Sequence, residues 1–378
     1  MKVALVLFDW FAHGGLQRDC RRIGESLHDK GAQVDVICMN CEGDMPAGML
    51  LVQAKNASGN SVSARKQFLM FLERHLAQHD YDAVIGFNRL PYLDYYFAAD
   101  TCFAWKATRE RNFFYRWTPR SQQYLAFEKA VFGPDSNTDL FMLSPMQKNE
   151  YLACYPQSQS RMVDLPPGIA RDRMAPEDAG QIRHEFRGEF AIGANELILL
   201  QVGTGYPVKG VDKSIRALAS LPESIRHRTR LLLLGNDRQG RYAGLASRLG
   251  VADRISILSG RDDLPRFYQG ADICLQPSQK ESAGMVILEA IVAGLPVLAT
   301  ATCGYAFHVE QADAGVVLPA PFSQQSMNAA LLQMLQGAER PRWRANGIAY
   351  GRAGNFYDMP ALVAQMIVSG SRVEEDGD

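Results

Sequence analysis

The sequence has no long hydrophobic run. Its opening stretch, MKVALVLFDW, carries six apolar residues before Asp9. That is too short for the core of a signal peptide and far short of the roughly 18 apolar residues that cross a bilayer. No such run follows later, so the chain is expected in the cytoplasm. Cysteine is sparse and odd in number, seven in 378 residues. Scattered cysteines in a long chain argue against a disulfide framework and for a reducing compartment. An excess of one charge is also missing: 40 Lys and Arg stand against 41 Asp and Glu, for a net charge of -1. This excludes a global basic field for nucleic acid, and contact with any anionic surface requires a local patch.

Several motifs are absent or incomplete. No G-x-G-x-x-G follows the first strand, which weakens a nicotinamide reading, and neither G-x-S-x-G nor H-E-x-x-H occurs. Cys38 and Cys41 form a lone C-x-x-C with no second pair at metal spacing, so they read as small residues at a strand end. His75 and His79 are four apart on a helix, but no third ligand follows. Asp80-Tyr81-Asp82 is a D-x-D at the amino end of a strand, whereas ligands of such sheets bind at carboxyl ends. Gly205 to Gly210 imitates half of a P-loop, with Val211 and Asp212 where Lys and Ser/Thr belong. No metal ion is expected.

What is present is a rhythm. Apolar residues make up 47% and charged residues 21%, as in an ordinary globular chain. Val3–Phe8 reads as a strand, Gly14-Gly15 as a loop, Leu16 to Lys30 as a helix closed by Gly31, and Val34–Met39 as the next strand. Ala83–Phe87 and Leu140–Ser144 continue the series. This is the pattern of a parallel sheet covered on both faces. It restarts with strands predicted at Leu197–Val202, Leu231–Gly235, Ile255–Leu258, Ile273–Gln276 and Pro296–Thr300, and helices at Val211–Ala219 and Met285–Ala293. Leu165-Pro166-Pro167-Gly168 is a poor helix or central strand and a good hinge. The reading is α/β, with two Rossmann-like doubly wound domains, 1–167 and 168–350, facing across a cleft. A helix in 351–371 would cross back to the first domain, and 372–378 would be an acidic, disordered tail.

Chemistry concentrates in Leu275–Thr300, LQPSQKESAGMVILEAIVAGLPVLAT. Glu281 falls in the loop after a strand, and Glu289 lies eight positions later, about two turns along a helix. Ser282, Ala283 and Gly284, followed by Met285, stand at the helix start. Small residues there let a ligand approach free backbone N–H groups, an anion site suited to a diphosphate. Two surface glutamates on a helix would be the ordinary explanation, but they would not account for the Pro277-Ser278 turn or for Ala293-Gly294-Leu295-Pro296.

This segment resembles the E-x7-E region of the family 4 retaining glycosyltransferases, which have the two-domain GT-B fold. VLFDWFAHGGLQRD, GFNRLPYLDYYFAADTCFA, LPPGI, QVGTGYPVKGVDKSI, ALASLPESIRH, LSGRDDL and AIVAGLPVLATATCGYA are similar to the branch that adds the first hexose to the inner-core heptose of bacterial lipopolysaccharide. The resemblance implies a UDP-sugar donor, a lipopolysaccharide acceptor and front-face displacement without a metal. It implies that Glu281 contacts the donor sugar, Glu289 the ribose, Lys209 the diphosphate and Arg261 the uracil. It places Gly14 and Gly15 in a loop that closes over the phosphates, and Asp19 facing the cleft. Asp100 matches a position where relatives often carry a histidine near the sugar 6-hydroxyl. The arginine that many relatives carry just before the lysine of the K-G pair is missing from Gly205-Tyr206-Pro207-Val208.

Phe103 to Phe132 carries six Lys/Arg against two Glu, interleaved with Trp105, Phe113, Phe114, Tyr115 and Trp117. This mixture suits an anionic membrane interface, here the cytoplasmic face of the inner membrane, though a core aromatic helix or a groove for a phosphorylated acceptor would also use it. Two other functions fit the scaffold: a UDP-sugar epimerase, and a non-catalytic sugar-nucleotide binding protein.

Overall fold

The computed structural model describes residues 1–11, 14–54, 61–110 and 113–370. The chain forms two compact units. One is Met1–Gly168 together with the chain from Tyr357; the other is Ile169–Phe356.

In the first unit, β1 (Lys2–Trp10), β2 (Gln33–Cys41), β3 (Met49–Gln53), β4 (Ala83–Gly86), β5 (Tyr95–Phe97), β6 (Asp139–Met142) and β7 (Met162–Asp164) form one sheet. Its order is β3-β2-β1-β4-β5-β6-β7, and every pairing is parallel. Val3 to Leu7 have no exposed surface, because helices cover both faces of a parallel sheet. One face packs on Cys20, Ile23 and Leu27 of the Gly15–Asp29 helix and on Met359, Val363 and Ile367 of the Met359–Ser369 helix. The other packs on Phe68 and Leu72 of the Ser61–Gln78 helix and on Phe127, Val131 and Phe132. Each fully buried side chain of this kind is worth roughly 1.5–3 kcal/mol.

In the second unit, β8 (Leu197–Val202), β9 (Thr229–Leu234), β10 (Ile255–Leu258), β11 (Ile273–Gln276), β12 (Val297–Thr300) and β13 (Gly315–Leu318) form a parallel sheet in the order β10-β9-β8-β11-β12-β13. The chain leaves the first unit after Gly168, within the Leu-Pro-Pro-Gly stretch. It returns at Tyr357, later than the position 351 suggested by the sequence. The Arg340–Ala353 helix explains the difference. Gly351 lies so close to Val292 that an added Cβ would be 2.7 Å from that residue's Cβ, which holds the helix to the second unit past 350. The Met359–Ser369 helix then packs on Gly15–Asp29. The acidic tail falls outside the described residues.

Candidate donor site and family

Strand order reverses between β8 and β11, so the loops that follow these neighbouring strands diverge. The crevice between them is where ligands of such sheets bind. The two loops are 203–210 and 277–284. They are joined by hydrogen bonds from Gln279 N to Val208 O (2.7 Å) and Gln279 Nε2 to Pro207 O (3.0 Å), and Lys213 Nζ, in the helix that follows the first loop, reaches Pro277 O (2.8 Å). Gly210 makes the approach possible. Its φ is 68°, and a Cβ there would sit 2.3 Å from Pro277 O.

This crossing brings Lys209 to Glu281. Lys209 Nζ donates to Glu281 Oε2 at 2.7 Å, and both side chains are largely buried. The other carboxylate oxygen accepts from Gln276 Nε2 and Ser278 Oγ. The Glu281 backbone is also fixed, its N–H donating to Thr302 O (3.0 Å) and its carbonyl accepting from Gly304 N (3.1 Å). The loop after β12 therefore clamps the residue from behind. Sequence reasoning missed Gln276 and Ser278 as site residues. Their available signals were a polar residue closing the apolar strand Ile-Cys-Leu-Gln and the hydroxyl of the Pro-Ser turn.

The next helix starts at Met285, as the sequence suggested. Ser282, Ala283 and Gly284 precede it, and Met285 is its first residue. Gly284 has a φ of 88°, a left-handed conformation that no helical residue can have. Counted from Met285, Glu289 is just over one turn along, not two, because Glu281 to Gly284 are loop and do not add a turn. It is 1% exposed, accepts from Tyr268 Oη at 2.7 Å and lies 3.8 Å from Arg173 Nε. Burial, reinforced by Glu289, pushes the Tyr268 phenol well above its usual range, so it remains a donor. Arg173 and Tyr268 carried no sequence signal, since long-range packing alone brings them to Glu289. Arg261 is exposed and holds Asp263 in a two-pronged pair at 2.7 and 2.8 Å.

Four of the singled-out residues belong to the first unit. Gly14 caps the Gly15–Asp29 helix, with the Gln17 side chain where a Cβ would go, while Gly15 has open space at that point. Asp19, on that helix, is 6% exposed. Asp100 is partly exposed and lies 3.5 Å from Arg89 Nε, and Arg89 in turn pairs with the fully buried Glu128.

Residues 182–350 match the family described as glycosyl transferases group 1. The chain is 40% identical, over 98% of its length and 99% of the relative's, to the lipopolysaccharide glucosyltransferase WaaG of Escherichia coli K12. The crystal structure of WaaG, a glycosyltransferase involved in lipopolysaccharide biosynthesis, superimposes with a TM-score of 0.95 at 40% identity, covering 97% of this chain and all of that one. This chain belongs to the lipopolysaccharide glucosyltransferase family. Its fold is GT-B, as expected from the sequence. The Anabaena protein HepE, solved in complex with UDP-glucose, shares that fold at a TM-score of 0.72 and 16% identity, over 98% of this chain and 99% of that one.

In this glycosyltransferase, segment 103–132 is only partly a surface feature. Phe103, Phe127 and Phe132 are core residues, and Glu128 turns inward to Arg89 and to the N–H groups of Phe103 (2.6 Å) and Ala104 (2.8 Å). Phe114 and Trp117 are 78% and 70% exposed. Arg109 sits over the Trp105 ring and Arg120 over Tyr124. Arg111 and the side chain of Phe113 lie outside the described residues. No helix among the described residues is long and apolar enough to cross a membrane.

The discounted motifs have structural uses. Asp82 accepts from the backbone N–H of Lys2 at 2.6 Å. His75 meets Tyr81, whose hydroxyl donates to Asp35 at 2.6 Å, and its ring stacks on His79. Among the described residues, no three His, Cys, Asp or Glu side chains form a group able to hold a metal. All seven cysteines are free thiols.

Proposed function

We propose that the chain transfers a hexose, with retention at the anomeric carbon and without a metal ion, from a UDP-sugar to an inner-core heptose of lipopolysaccharide. The observation that carries this reading is the Lys209–Glu281 pair, set between the loops that follow the two strands at the sheet's reversal. The name of the 40% identical relative, a lipopolysaccharide glucosyltransferase, favours glucose over a related hexose or N-acetylhexosamine as the donor sugar and supports lipopolysaccharide as the acceptor.

Each group has a task in that reaction. Lys209 is a point charge suited to the diphosphate, and it stabilises the negative charge that builds on the leaving phosphate oxygen. The amides at the start of the Met285–Val292 helix share that charge. Glu281 accepts hydroxyl hydrogen bonds from the sugar and holds its anomeric carbon in place. Glu289, steadied by Tyr268 and Arg173, binds the ribose, and Arg261 borders the uracil. The bond from the anomeric carbon to phosphate breaks as the acceptor oxygen bonds on the same face, and the acceptor's proton passes to the departing phosphate oxygen.

The acceptor is lipid-anchored, which gives the exposed Phe114 and Trp117 and the cations around them a role in docking on the anionic cytoplasmic face of the membrane. The test is UDP release from a panel of UDP-hexoses, in chelator, with and without heptose-terminated lipopolysaccharide. Release that depends on the acceptor supports the transferase. Interconversion of the donor without acceptor would indicate an epimerase instead.

A further inference from the structure

Gln276 is the last residue of β11 and has no exposed surface. A neutral amide at the end of a central strand, among Ile273, Cys274 and Leu275, is costly to bury unless it is used. Its Nε2 donates to Glu281 Oε1, while its own Oε1 is buried with no hydrogen-bond partner among the described residues. The carboxylate fixes this orientation, because an ionised carboxylate only accepts and the amide nitrogen must face it. Ser278 donates to the same Oε1 for the same reason. The strand end is itself anchored: Thr300 Oγ1 and Thr302 Oγ1 both donate to Ser278 O, at 2.7 and 2.8 Å.

The Glu281 carboxylate is thus divided. Oε1 is held by the two neutral donors Gln276 and Ser278, and Oε2 by the ammonium of Lys209. A donor diphosphate competes for Lys209 and leaves Oε1 untouched. We infer that Gln276 is a positioning residue for the transfer, resting on the reading of Glu281 and Lys209 given above. It keeps the carboxylate in register for the sugar after the diphosphate has drawn Lys209 away. Gln276 and Ser278 are what remains of Glu281's support once the donor is bound.

The experiment compares wild type, Gln276→Met, Gln276→Glu and Ser278→Ala for transfer from UDP-glucose to heptose-terminated lipopolysaccharide. UDP affinity is measured by calorimetry and folding by thermal melting. Gln276→Met keeps the volume and removes the donor. It should lower kcat about tenfold or more, with UDP affinity unchanged within about twofold, because UDP carries no sugar for Glu281 to hold. Ser278→Ala should do the same to a smaller extent. Gln276→Glu sets a second carboxylate against the first, and its activity should fall steeply as pH rises because the pair must then share a proton. A purely structural role would lower melting temperature and UDP affinity without this pH dependence. Wild-type kcat in Gln276→Met, or a loss that tracks UDP affinity, overturns the proposal while leaving the transferase reading intact. If Gln276→Met does not fold, wild-type kcat in Ser278→Ala together with an unaltered pH profile in Gln276→Glu overturns it equally. Absence of acceptor-dependent transfer by wild type defeats the underlying reading, and this inference with it.

Discussion

Lys209 Nζ and Glu281 Oε2 lie 2.7 Å apart, though the two residues come from different loops on neighbouring strands. In the proposed function the transfer uses the two charges separately, Lys209 on the diphosphate and Glu281 on the sugar. Replacing Lys209 with Ala should lower kcat roughly 100- to 1,000-fold, as expected on removal of a preorganised group that stabilises the leaving oxygen. It should weaken UDP binding as well. Steady-state kinetics with UDP calorimetry checks this.

Glu289 is a buried carboxylate with Tyr268 and Arg173 against it. Glu289→Ala should cost about 3–5 kcal/mol of stability, because it leaves buried polar partners uncompensated. Tyr268→Phe should cost about 1–3 kcal/mol, the usual range for removing one donor from a buried acceptor. Urea unfolding of the two variants should rank them in that order, and both should bind UDP less tightly than wild type.

Gly210 holds the two donor-site loops in backbone contact. Gly210→Ala combines a φ of 68° with a Cβ 2.3 Å from Pro277 O. The strain is of order 1–3 kcal/mol, and the loops must separate to relieve the clash. UDP-sugar affinity should fall even where the variant stays folded, which a titration reads directly.

His308 is buried among Phe307, Tyr305 and Phe356, with Nδ1 2.7 Å from Tyr350 Oη. Burial lowers its pKa to about 4. The folded state therefore keeps the ring neutral while the unfolded state protonates near pH 6.5. Stability is fully present above about pH 6.5 and is lost as pH falls toward 4, by up to about 3 kcal/mol. His308→Phe should flatten this part of the stability profile, as measured by melting between pH 4.5 and 7.5.

Phe114 and Trp117 are too exposed to support the core. Changing both to Ala should leave the melting temperature near that of wild type and weaken sedimentation with anionic vesicles. Arg116→Gln and Arg120→Gln should each reduce binding by about 1 kcal/mol. Unchanged sedimentation in all of these variants would contradict the docking role.

The fold was legible because parallel strands buried on both faces read as continuous apolar runs. Leu197–Val202, Ile255–Leu258 and Ile273–Gln276 end in the structure where the pattern ends. Met49–Gln53 escaped because, at the sheet edge, only Met49 is buried. Tyr95–Phe97 and Met162–Asp164 are three residues each, too short to show a period. The loop and helix of Leu275–Thr300 were legible as one candidate site, since they are contiguous in sequence. The left-handed turn at Gly284 was not legible, because such a glycine looks like any other small residue in a string of letters, so Glu289 was placed a turn too far along. The Lys209–Glu281 contact, the hold of Gln276 on Glu281 and the Arg173–Tyr268–Glu289 cluster depend on strand order, which no local pattern encodes.

The most direct test is acceptor-dependent UDP release by wild type and Glu281→Gln, in chelator, alongside UDP affinity. The account predicts robust release by wild type, and a loss of about 100-fold or more in Glu281→Gln with UDP affinity nearly unchanged, since the lost interaction belongs to the reacting sugar. Wild-type rates in Glu281→Gln would contradict it, as would dependence of wild-type transfer on a divalent metal.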